Sequence, residues 1–363
     1  MSAPEPRPGI LDIKPYVPGK SGNGDGRPAI KLSSNESALG PSPRAVDAAK
    51  RAAEGVVRYP DGAATALRES LGRRWGLDPA RIVCGAGSDE LIEMIPRAYA
   101  GPGDEILMSQ YGFAVYPIAT LAAGATPVAA PERDYRTDVD AMLAAVTERT
   151  RVAFLANPNN PTGSYISSDE VRRLRKGLPE HVLLVVDSAY AEFVDRDDYS
   201  DGAELVHDAD NTVMTRTFSK IYSLAGLRIG WLYGPTDVVD VLNRIRAPFN
   251  VNAVALAAAE AALSDEEHVA RAREHNRLWL PRLTQSLRGM GLTVHGSVVN
   301  FVLVRFPGGA DQARAADRWL AGRRIYVRNL DPYGIGDGLR INIGLEHEMQ
   351  ALTDALAEFL EAS

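Results

Sequence analysis

The segment TRTFSKIYSLAGLRIG spans residues 215–230 and combines a strand end with a lysine that is well placed for chemistry. The run TVMTRTF (212–218) predicts a strand, and Lys220 follows directly after it. Thr217 and Ser219 place hydroxyls beside this lysine, and Arg228 comes eight residues later. Hydroxyls and an arginine suit a phosphate, and a lysine serves as a nucleophile when it carries an aldehyde cofactor as a Schiff base. Taken alone, the segment also fits a strand followed by a glycine-broken basic loop.

Strand-like and helix-like segments alternate on the N-terminal side of this lysine. Apolar runs predict strands at 105–109, 126–130, 151–156 and 181–187. Helical spacing predicts helices at 115–123, 138–146 and 168–178. Such alternation indicates βαβ units and a mostly parallel sheet. After residue 252 a long alanine-rich helix leads into a strand–helix–strand–strand–helix pattern. The chain is therefore predicted to be α/β, with a smaller α+β domain at its C-terminal end.

Length and composition indicate an ordinary globular chain of more than one domain. With 363 residues, two domains are expected, and 45% apolar with 24% charged residues is typical of globular proteins. We predict an N-terminal arm at 1–45, rich in Pro and Gly up to about residue 30. A large domain is predicted at 46–255 and a small domain at 256–363. No internal repeat is visible.

Charge and targeting patterns exclude several classes of protein. A net charge of −7 argues against a partner that is a nucleic acid or an anionic membrane. The single cysteine, Cys84, excludes an internal disulfide, and the six histidines have no ligand spacing, so no metal site is predicted. The N-terminus lacks the order of a secretory signal and the apolar runs are too short to cross a bilayer, which predicts a cytoplasmic protein.

Polar residues at four predicted strand ends carry the functional prediction, because ligands of open α/β sheets bind at those ends. Gly87 and Ser88 lie at a strand-to-helix turn suited to an anion, although tight turns often use glycine. Asn157 opens NPNNPTG directly after a strand. Asp187 ends a buried strand and needs a cationic partner, unless it only caps the next helix.

Together these groups describe a pyridoxal phosphate site. Asp187 would hold a cationic ring nitrogen, and Lys220 would form an imine. The phosphate would be bound by Ser88, Thr217, Ser219 and Arg228. No serine lies in a G-x-S-x-G sequence, and no G-x-G-x-x-G follows a strand. A serine hydrolase is thereby excluded, and a dinucleotide enzyme is disfavoured.

The motifs NPNNPTG and TFSK…LAGLRIG, in this order, resemble those of fold-type I pyridoxal-phosphate aminotransferases. Within the class II subgroup, the chain is similar to the histidinol-phosphate aminotransferase group, and matching motifs run from the NES at Asn35 to the LRINIG at Leu339. The resemblance implies a large domain with a mostly parallel sheet of seven-stranded type flanked by helices. It also implies a smaller α+β C-terminal domain and an N-terminal arm that packs on the small domain or a partner subunit.

The resemblance also assigns roles to individual residues. Lys220 would carry the cofactor and move a proton between it and the substrate carbon, Asp187 would keep the pyridine nitrogen protonated, and Tyr190 completes the catalytic set. Asn157 and Tyr190 would bind the ring hydroxyl, and Tyr111 would stack on the ring. The phosphate ligands implied are Ala86, Gly87, Ser88, Thr217, Ser219 and Arg228, with Tyr59 reaching in from the other subunit of a homodimer.

Substrate selection is assigned to Tyr16, Asn35, Arg328 and Arg340. Arg340 would bind the substrate carboxylate and Arg328 the substrate phosphate, unless Arg328 is a surface residue of an edge strand. We expect transamination between L-histidinol phosphate and 2-oxoglutarate in histidine biosynthesis. The alternatives are an aromatic amino-acid aminotransferase, an enzyme with both specificities, a decarboxylase of phosphorylated amino acids, and a non-catalytic cofactor-binding regulator.

Overall fold

The computed structural model of the protein describes residues 4–22, 26 and 28–362, so parts of the predicted arm (1–3, 23–25 and 27) lie outside the described residues. The strands are β1 (Ile30–Leu32), β2 (Ile82–Gly85), β3 (Glu105–Ser109), β4 (Thr126–Ala130), β5 (Glu132–Arg133), β6 (Arg136–Thr137), β7 (Thr150–Ala156), β8 (Leu183–Asp187), β9 (Thr212–Thr217), β10 (Gly230–Tyr233), β11 (Thr293–Val294), β12 (Phe301–Arg305), β13 (Ile325–Asn329) and β14 (Gly338–Asn342). The helices are α1 (Pro43–Ala53), α2 (Thr65–Trp75), α3 (Ser88–Tyr99), α4 (Val115–Ala123), α5 (Val139–Ala144), α6 (Ser168–Gly177), α7 (Ala203–Asp208), α8 (Thr236–Ile245), α9 (Ala253–Ser264), α10 (Glu266–Gly289), α11 (Gly309–Gly322) and α12 (Glu346–Glu361).

Seven strands form the large sheet in the order β2-β10-β9-β8-β7-β3-β4. The pairs from β4 to β9 are parallel, and β10 alone runs antiparallel to its neighbours β2 and β9. Strand β8 is buried at every position, as expected for a strand covered by helices on both faces. The predicted mostly parallel seven-stranded sheet is confirmed. Strand β10 was not predicted from the sequence, because residues 220–230 were interpreted as a loop and no element was assigned directly after them.

A second sheet of five strands, ordered β1-β13-β14-β12-β11, forms the small domain. Strand β1 pairs parallel with β13, and the remaining pairs are antiparallel. Apolar side chains on one face pack under α11, α12 and the end of α10, with Leu320, Leu352 and Leu356 fully buried. The end of the predicted arm therefore contributes an edge strand to the small domain.

The long helical stretch after residue 252 is divided into α9 and α10 at Asp265, whose side chain accepts a hydrogen bond from the backbone of His268. Buried residues of α9 and of the first turns of α10 belong to the core under the large sheet, whereas Leu283 and Leu287 belong to the small-domain core. The predicted boundary after residue 255 stays a prediction, and the packing favours a boundary inside α10.

Among the described residues, no helix has both the length and the apolar character needed to cross a lipid bilayer.

Candidate active site

The carboxyl ends of the parallel strands and the start of α3 open into one cleft with a volume of about 170 Å³, here called the central cleft. Many of the residues predicted for the site line it, namely Tyr16, Asn35, Ser88, Asp187, Tyr190, Thr217, Ser219, Lys220, Arg228 and Arg340. They come from both sheets and from the arm, so the cleft lies where the two domains meet. Strand pairing aligns Ala156 with Asp187 and Asp187 with Thr215, which sets the polar ends side by side.

Asp187 ends β8 as a buried carboxylate with two hydroxyl donors. The Tyr116 hydroxyl donates to its Oδ2 at 2.7 Å, and the Thr215 hydroxyl donates to its Oδ1 at 3.2 Å. Burial raises the pKa of Asp187 to about 6, although both hydrogen bonds favour the charged form and lower it. A carboxylate that remains so costly to ionise is suited to a cationic partner in the cleft.

Lys220 is in a loop that immediately follows β9. Its Nζ donates to the backbone carbonyl of Ser34 at 3.4 Å and lies 5.6 Å from the centroid of the Tyr190 ring. Burial, with a further contribution from the positive charge of Arg340, lowers the pKa of Lys220 to about 8. About a tenth of this amine is therefore neutral, and so nucleophilic, at pH 7, far more than of an ordinary lysine.

Tyr190 is held by the arm. Asn35, at a left-handed φ of 59°, donates from Nδ2 to the Tyr190 hydroxyl at 2.7 Å. Burial raises the pKa of Tyr190 to about 12, so this phenol stays protonated and has its own proton to donate.

Hydroxyls and a guanidinium surround the start of α3 and form an anion cradle. The Ser219 backbone N–H donates to Thr217 Oγ1 at 3.1 Å, and the Thr217 hydroxyl donates to Ser219 Oγ at 3.0 Å. Arg228 donates to Ser219 Oγ at 3.4 Å and pairs with Asp89 Oδ2 at 2.8 Å. Since α3 begins at Ser88, its unpaired backbone N–H groups point to the same region. These donors suit a phosphate.

Two glycines make this cradle possible. Gly87 has a φ of 83°, and a Cβ there would lie 2.4 Å from Arg228 Nη2. At Gly230 a Cβ would lie 2.4 Å from the backbone N of Ser88. A side chain at Gly87 would therefore meet the Arg228 guanidinium, and one at Gly230 would occupy the space between the helix start and β10.

Arg340, on β14, is buried at the small-domain side of the cleft. Its guanidinium donates to the side chain of Asn160 and, at 2.7 Å, to the carbonyl of Ser33. The Nε of Arg340 has no hydrogen-bond partner among the described residues. A buried guanidinium with a remaining donor fits a carboxylate.

Arg328 lies opposite Arg340 in the register of β13 and β14. It does not line the central cleft but an adjoining hollow between the arm and α4, and Tyr16 lines both. The guanidinium donates to the carbonyl of Val17 at 2.7 Å and lies 5.7 Å from the Tyr16 ring centroid. Arg328 is 7% exposed, so it is not the surface residue that the sequence left open.

Other predicted residues lie outside the lining of the central cleft. The Asn157 side chain makes two hydrogen bonds with the backbone of Ile166, to which it donates at 3.1 Å and from which it accepts at 2.9 Å. The Tyr111 ring stacks on Tyr135 with centroids 5.3 Å apart. The backbone N of Ala86 donates to Glu90 Oε2 at 2.6 Å. Their predicted cofactor contacts stay predictions.

Tyr59 also lies outside the cleft and is 82% exposed, with its ring stacked on Phe249 at 4.6 Å. Such exposure suits a residue that acts on another subunit.

The cleft contains residues that the sequence interpretation missed. Asn160 lies in the same NPNNPTG motif as Asn157, and it is Asn160 that lines the cleft. Phe113 is the aromatic of the segment after β3 that lines the cleft, two residues beyond Tyr111. Tyr116 reaches Asp187 from the first turn of α4, and no sequence pattern marked it. Asn160 carries the same side-chain amide as the predicted Asn157 and was not singled out by the sequence.

The fold and the cleft around Lys220 agree with a match to a family model, and this match defines the class of the protein. Residues 27–356 match the family model described as aminotransferase class I and II. An aspartate aminotransferase of Thermus thermophilus, at 22% identity and a TM-score of 0.85 over 98% of this chain and 100% of the other, has the same fold.

Closer relatives narrow the class. The chain is 56% identical to the histidinol-phosphate aminotransferase of Paramagnetospirillum magneticum over 100% of both chains, and 52% identical to that of Maricaulis maris over 99% of both. The crystal structure of the Sinorhizobium meliloti histidinol-phosphate aminotransferase in complex with pyridoxal-5'-phosphate superposes with a TM-score of 0.92, at 31% identity over 99% of both chains. The chain belongs to the histidinol-phosphate aminotransferase family.

Proposed function

We propose that the protein transfers the amino group of L-histidinol phosphate to 2-oxoglutarate, giving imidazole-acetol phosphate and glutamate in histidine biosynthesis. The observation that carries this proposal is the convergence of Lys220, Asp187 and Arg340 in one cleft beside an anion cradle. A lysine, an aspartate and a carboxylate-binding arginine are the groups that amino transfer requires. The relatives named above support the choice of substrate.

We infer that the cofactor is pyridoxal 5'-phosphate. Its ring nitrogen would pair with the buried carboxylate of Asp187. Its phosphate would lie at the start of α3, beside the Arg228 guanidinium that packs closely against Gly87. The donors for that phosphate would be Ser88, Thr217, Ser219 and Arg228. When bound, the cofactor supplies a reactive aldehyde carbon and a protonated ring that withdraws electrons from the substrate carbon.

The chain's own residues then perform the binding and proton-transfer steps. Lys220, neutral in part because its pKa is lowered to about 8, supplies the nucleophilic nitrogen and then removes and returns the proton at the substrate carbon. Asp187 keeps a proton on the ring nitrogen. Tyr190, fixed by Asn35 at 2.7 Å, would orient the ring through its hydroxyl together with Asn157, and Asn160 lines the cleft beside Arg340.

Two arginines divide the recognition of the substrates. Arg340, with its unused Nε, would bind a carboxylate of glutamate or 2-oxoglutarate bidentately. Arg328 would bind the phosphate of histidinol phosphate from the adjoining hollow, with Tyr16 between the two sites. This arrangement accounts for a single site that takes both a phosphorylated amine and a dicarboxylate.

Two further features belong to the same proposal. The exposed Tyr59 would reach the cofactor phosphate of a second subunit, which makes the protein a homodimer with shared sites. The reaction would take place in the cytoplasm, where amino-acid biosynthesis is expected.

The second candidate is transamination of aromatic amino acids. It is favoured by Phe113 and Tyr16, two aromatic side chains in the lining of the central cleft. To decide, kcat/KM is measured for histidinol phosphate, phenylalanine and tyrosine with 2-oxoglutarate as acceptor. We expect histidinol phosphate to be preferred by at least about a hundredfold, since buried charge pairs discriminate strongly. A preference for phenylalanine or tyrosine would reject this substrate assignment and keep the reaction type.

The chemistry itself is tested with Lys220→Ala. Steady-state transamination should fall by at least about a thousandfold, because both the nucleophile and the proton carrier are lost. Arg244→Ala, in an exposed pair with Asp240 on α8, serves as a control for handling and cofactor loading and should retain full activity. Substantial turnover by Lys220→Ala would disprove the central assignment.

A further inference from the structure

A large groove lies between α10 and two segments that face it, residues 193–196 and 295–298, and we call it the arginine groove. Its volume is about 840 Å³, which is within the range of small-molecule sites. None of its lining residues lines the central cleft. The groove is therefore separate from the site of the proposed reaction.

The charge of the groove is opposite to that of the chain. Four arginines line it, Arg196, Arg273, Arg277 and Arg288, against one carboxylate, Asp195. The whole chain has a net charge of −7. A local excess of positive charge inside an acidic exterior attracts and retains small anions.

The arginines are spaced along the groove. Arg273 and Arg277 are one turn apart on α10, and Arg288 lies eleven residues further, about 16 Å along the axis and on the same helix face. Arg196 stands on the opposite wall. One phosphate ion meets one of these positions only, whereas a chain of linked phosphates reaches both Arg273 and Arg277, which lie about 6 Å apart along the axis.

These guanidinium groups keep donors for a ligand. Arg273 uses Nε for the carbonyl of Glu192, and Arg288 uses Nη2 for the carbonyl of Val294, each at 2.7 Å. Arg277 pairs with Glu274 through Nε and Nη2, also at 2.7 Å, but both side chains are more than half exposed. Exposed pairs of this kind contribute little free energy, so a polyanion competes for Arg277 readily.

The middle of the groove is built for an uncharged part of the ligand. Asn276 lines it while only 5% exposed, and its Oδ1 has no hydrogen-bond partner among the described residues. A buried acceptor of this kind needs an N–H or O–H donor. Leu280 and Val298 supply apolar surface, and Thr284 adds a hydroxyl.

We propose that the arginine groove binds an elongated organic polyphosphate of nucleotide size. The linked phosphates contact the neighbouring Arg273 and Arg277, and the organic body with its N–H or O–H donors lies in the middle of the groove, beside Asn276, Leu280 and Thr284. Because its walls come from the large-domain segment 193–196 and from α10, an occupant contacts both domains.

Binding is tested on the full chain loaded with its cofactor, at low ionic strength, by calorimetry with ATP without added metal and with inorganic phosphate. We expect ATP to bind with a sub-millimolar Kd. Inorganic phosphate should bind at least about tenfold more weakly, because it lacks both the linked phosphates and the organic body that lies in the middle of the groove. Arg277→Glu and Arg196→Glu should each weaken ATP binding by about tenfold or more.

Arg282→Glu is the matched control. Arg282 is on the same helix with the same charge, but its guanidinium lies over Trp279, 5.3 Å from the ring centroid, and it does not line the groove. This variant should bind ATP as the wild type does, and all three variants should keep transaminase activity. The proposal is overturned if the wild type does not bind ATP, if phosphate binds equally well, or if ATP binding is the same in all variants. The last result would assign binding to the central cleft.

Discussion

At the scale of single residues, the buried charge of Asp187 lowers the stability of the cofactor-free protein. Its ordinary pKa near 3.8 is raised to about 6 by burial, so the unfolded chain releases this proton at a lower pH than the folded chain does. Stability is therefore lost as the pH rises from about 4 through 6, and the loss is complete above 6. Such a cost is typical of functional groups.

Asp187→Asn is expected to abolish activity and to stabilise the cofactor-free protein. The amide keeps an acceptor for Tyr116 but has no charge to bury, so at pH 7.5 the free energy of unfolding should rise by on the order of 1–3 kcal/mol. Urea denaturation of both proteins at pH 7.5 and pH 4.5 measures this. The gain should shrink at the lower pH, and an equal gain at both would contradict the ionisation argument.

Tyr116→Phe should change the ionisation of Asp187 without changing the packing. The ring of Tyr116 stacks on Phe154 with centroids 4.5 Å apart, and phenylalanine preserves that contact. The lost 2.7 Å hydrogen bond favoured the charged carboxylate, so the pKa of Asp187 should rise further. The acidic limb of the kcat/KM profile should then move to higher pH, with kcat/KM near pH 7 lower by about tenfold. An unchanged acidic limb would show that Tyr116 has no such role.

At the scale of elements, the close approach of β10 to the start of α3 shapes the anion cradle. A Cβ on Gly230 would meet backbone atoms of Gly87 and Ser88 at 2.7 and 2.4 Å, and backbone has little freedom to move away. The strand and the helix start are thus positioned by the absence of a side chain.

Gly230→Ala should separate these two elements. We expect a loss of about 1–3 kcal/mol in the free energy of unfolding and at least about tenfold weaker cofactor binding, measured by urea denaturation and by fluorescence titration. Gly226→Ala is the matched control, since a Cβ there has no atom within 4 Å. Equal effects of the two substitutions would refute the steric explanation.

The sequence predicted the parallel part of the large sheet because apolar runs such as β8 are buried throughout and end in polar residues. It failed at β10, since the four residues GWLY follow a glycine-broken loop without any alternation. It did not single out Asn160 beside Asn157, because both follow the same strand and only the chain reversal decides which amide lines the cleft. Tyr116 was invisible for a similar reason, since its contact with Asp187 spans 71 positions.

At the scale of the whole molecule, we predict that two subunits share their active sites. Tyr59 is 82% exposed and lies outside the central cleft of its own chain. A phosphate contact by this residue therefore requires a second copy of the chain.

Mixing two inactive variants tests this arrangement. If Tyr59→Ala and Lys220→Ala subunits are unfolded, mixed equally and refolded, half of the dimers are hybrids, and each hybrid has one intact site. Activity should return to roughly a quarter of that of the wild type, since a shared site takes Lys220 from one chain and Tyr59 from the other. No recovery would place Tyr59 in its own subunit's site, and Tyr59→Ala refolded alone sets the baseline.

The segment after β1 links both domains at the reactive lysine through main-chain atoms. The carbonyl of Ser33 accepts from Arg340, and the carbonyl of Ser34 accepts from Lys220. Every amino acid carries a backbone carbonyl, so a point mutation at either serine leaves both of these acceptors in the chain. Insertion or deletion of one residue would move both at once. These two backbone acceptors therefore withstand amino-acid substitution but not a change in the length of the segment.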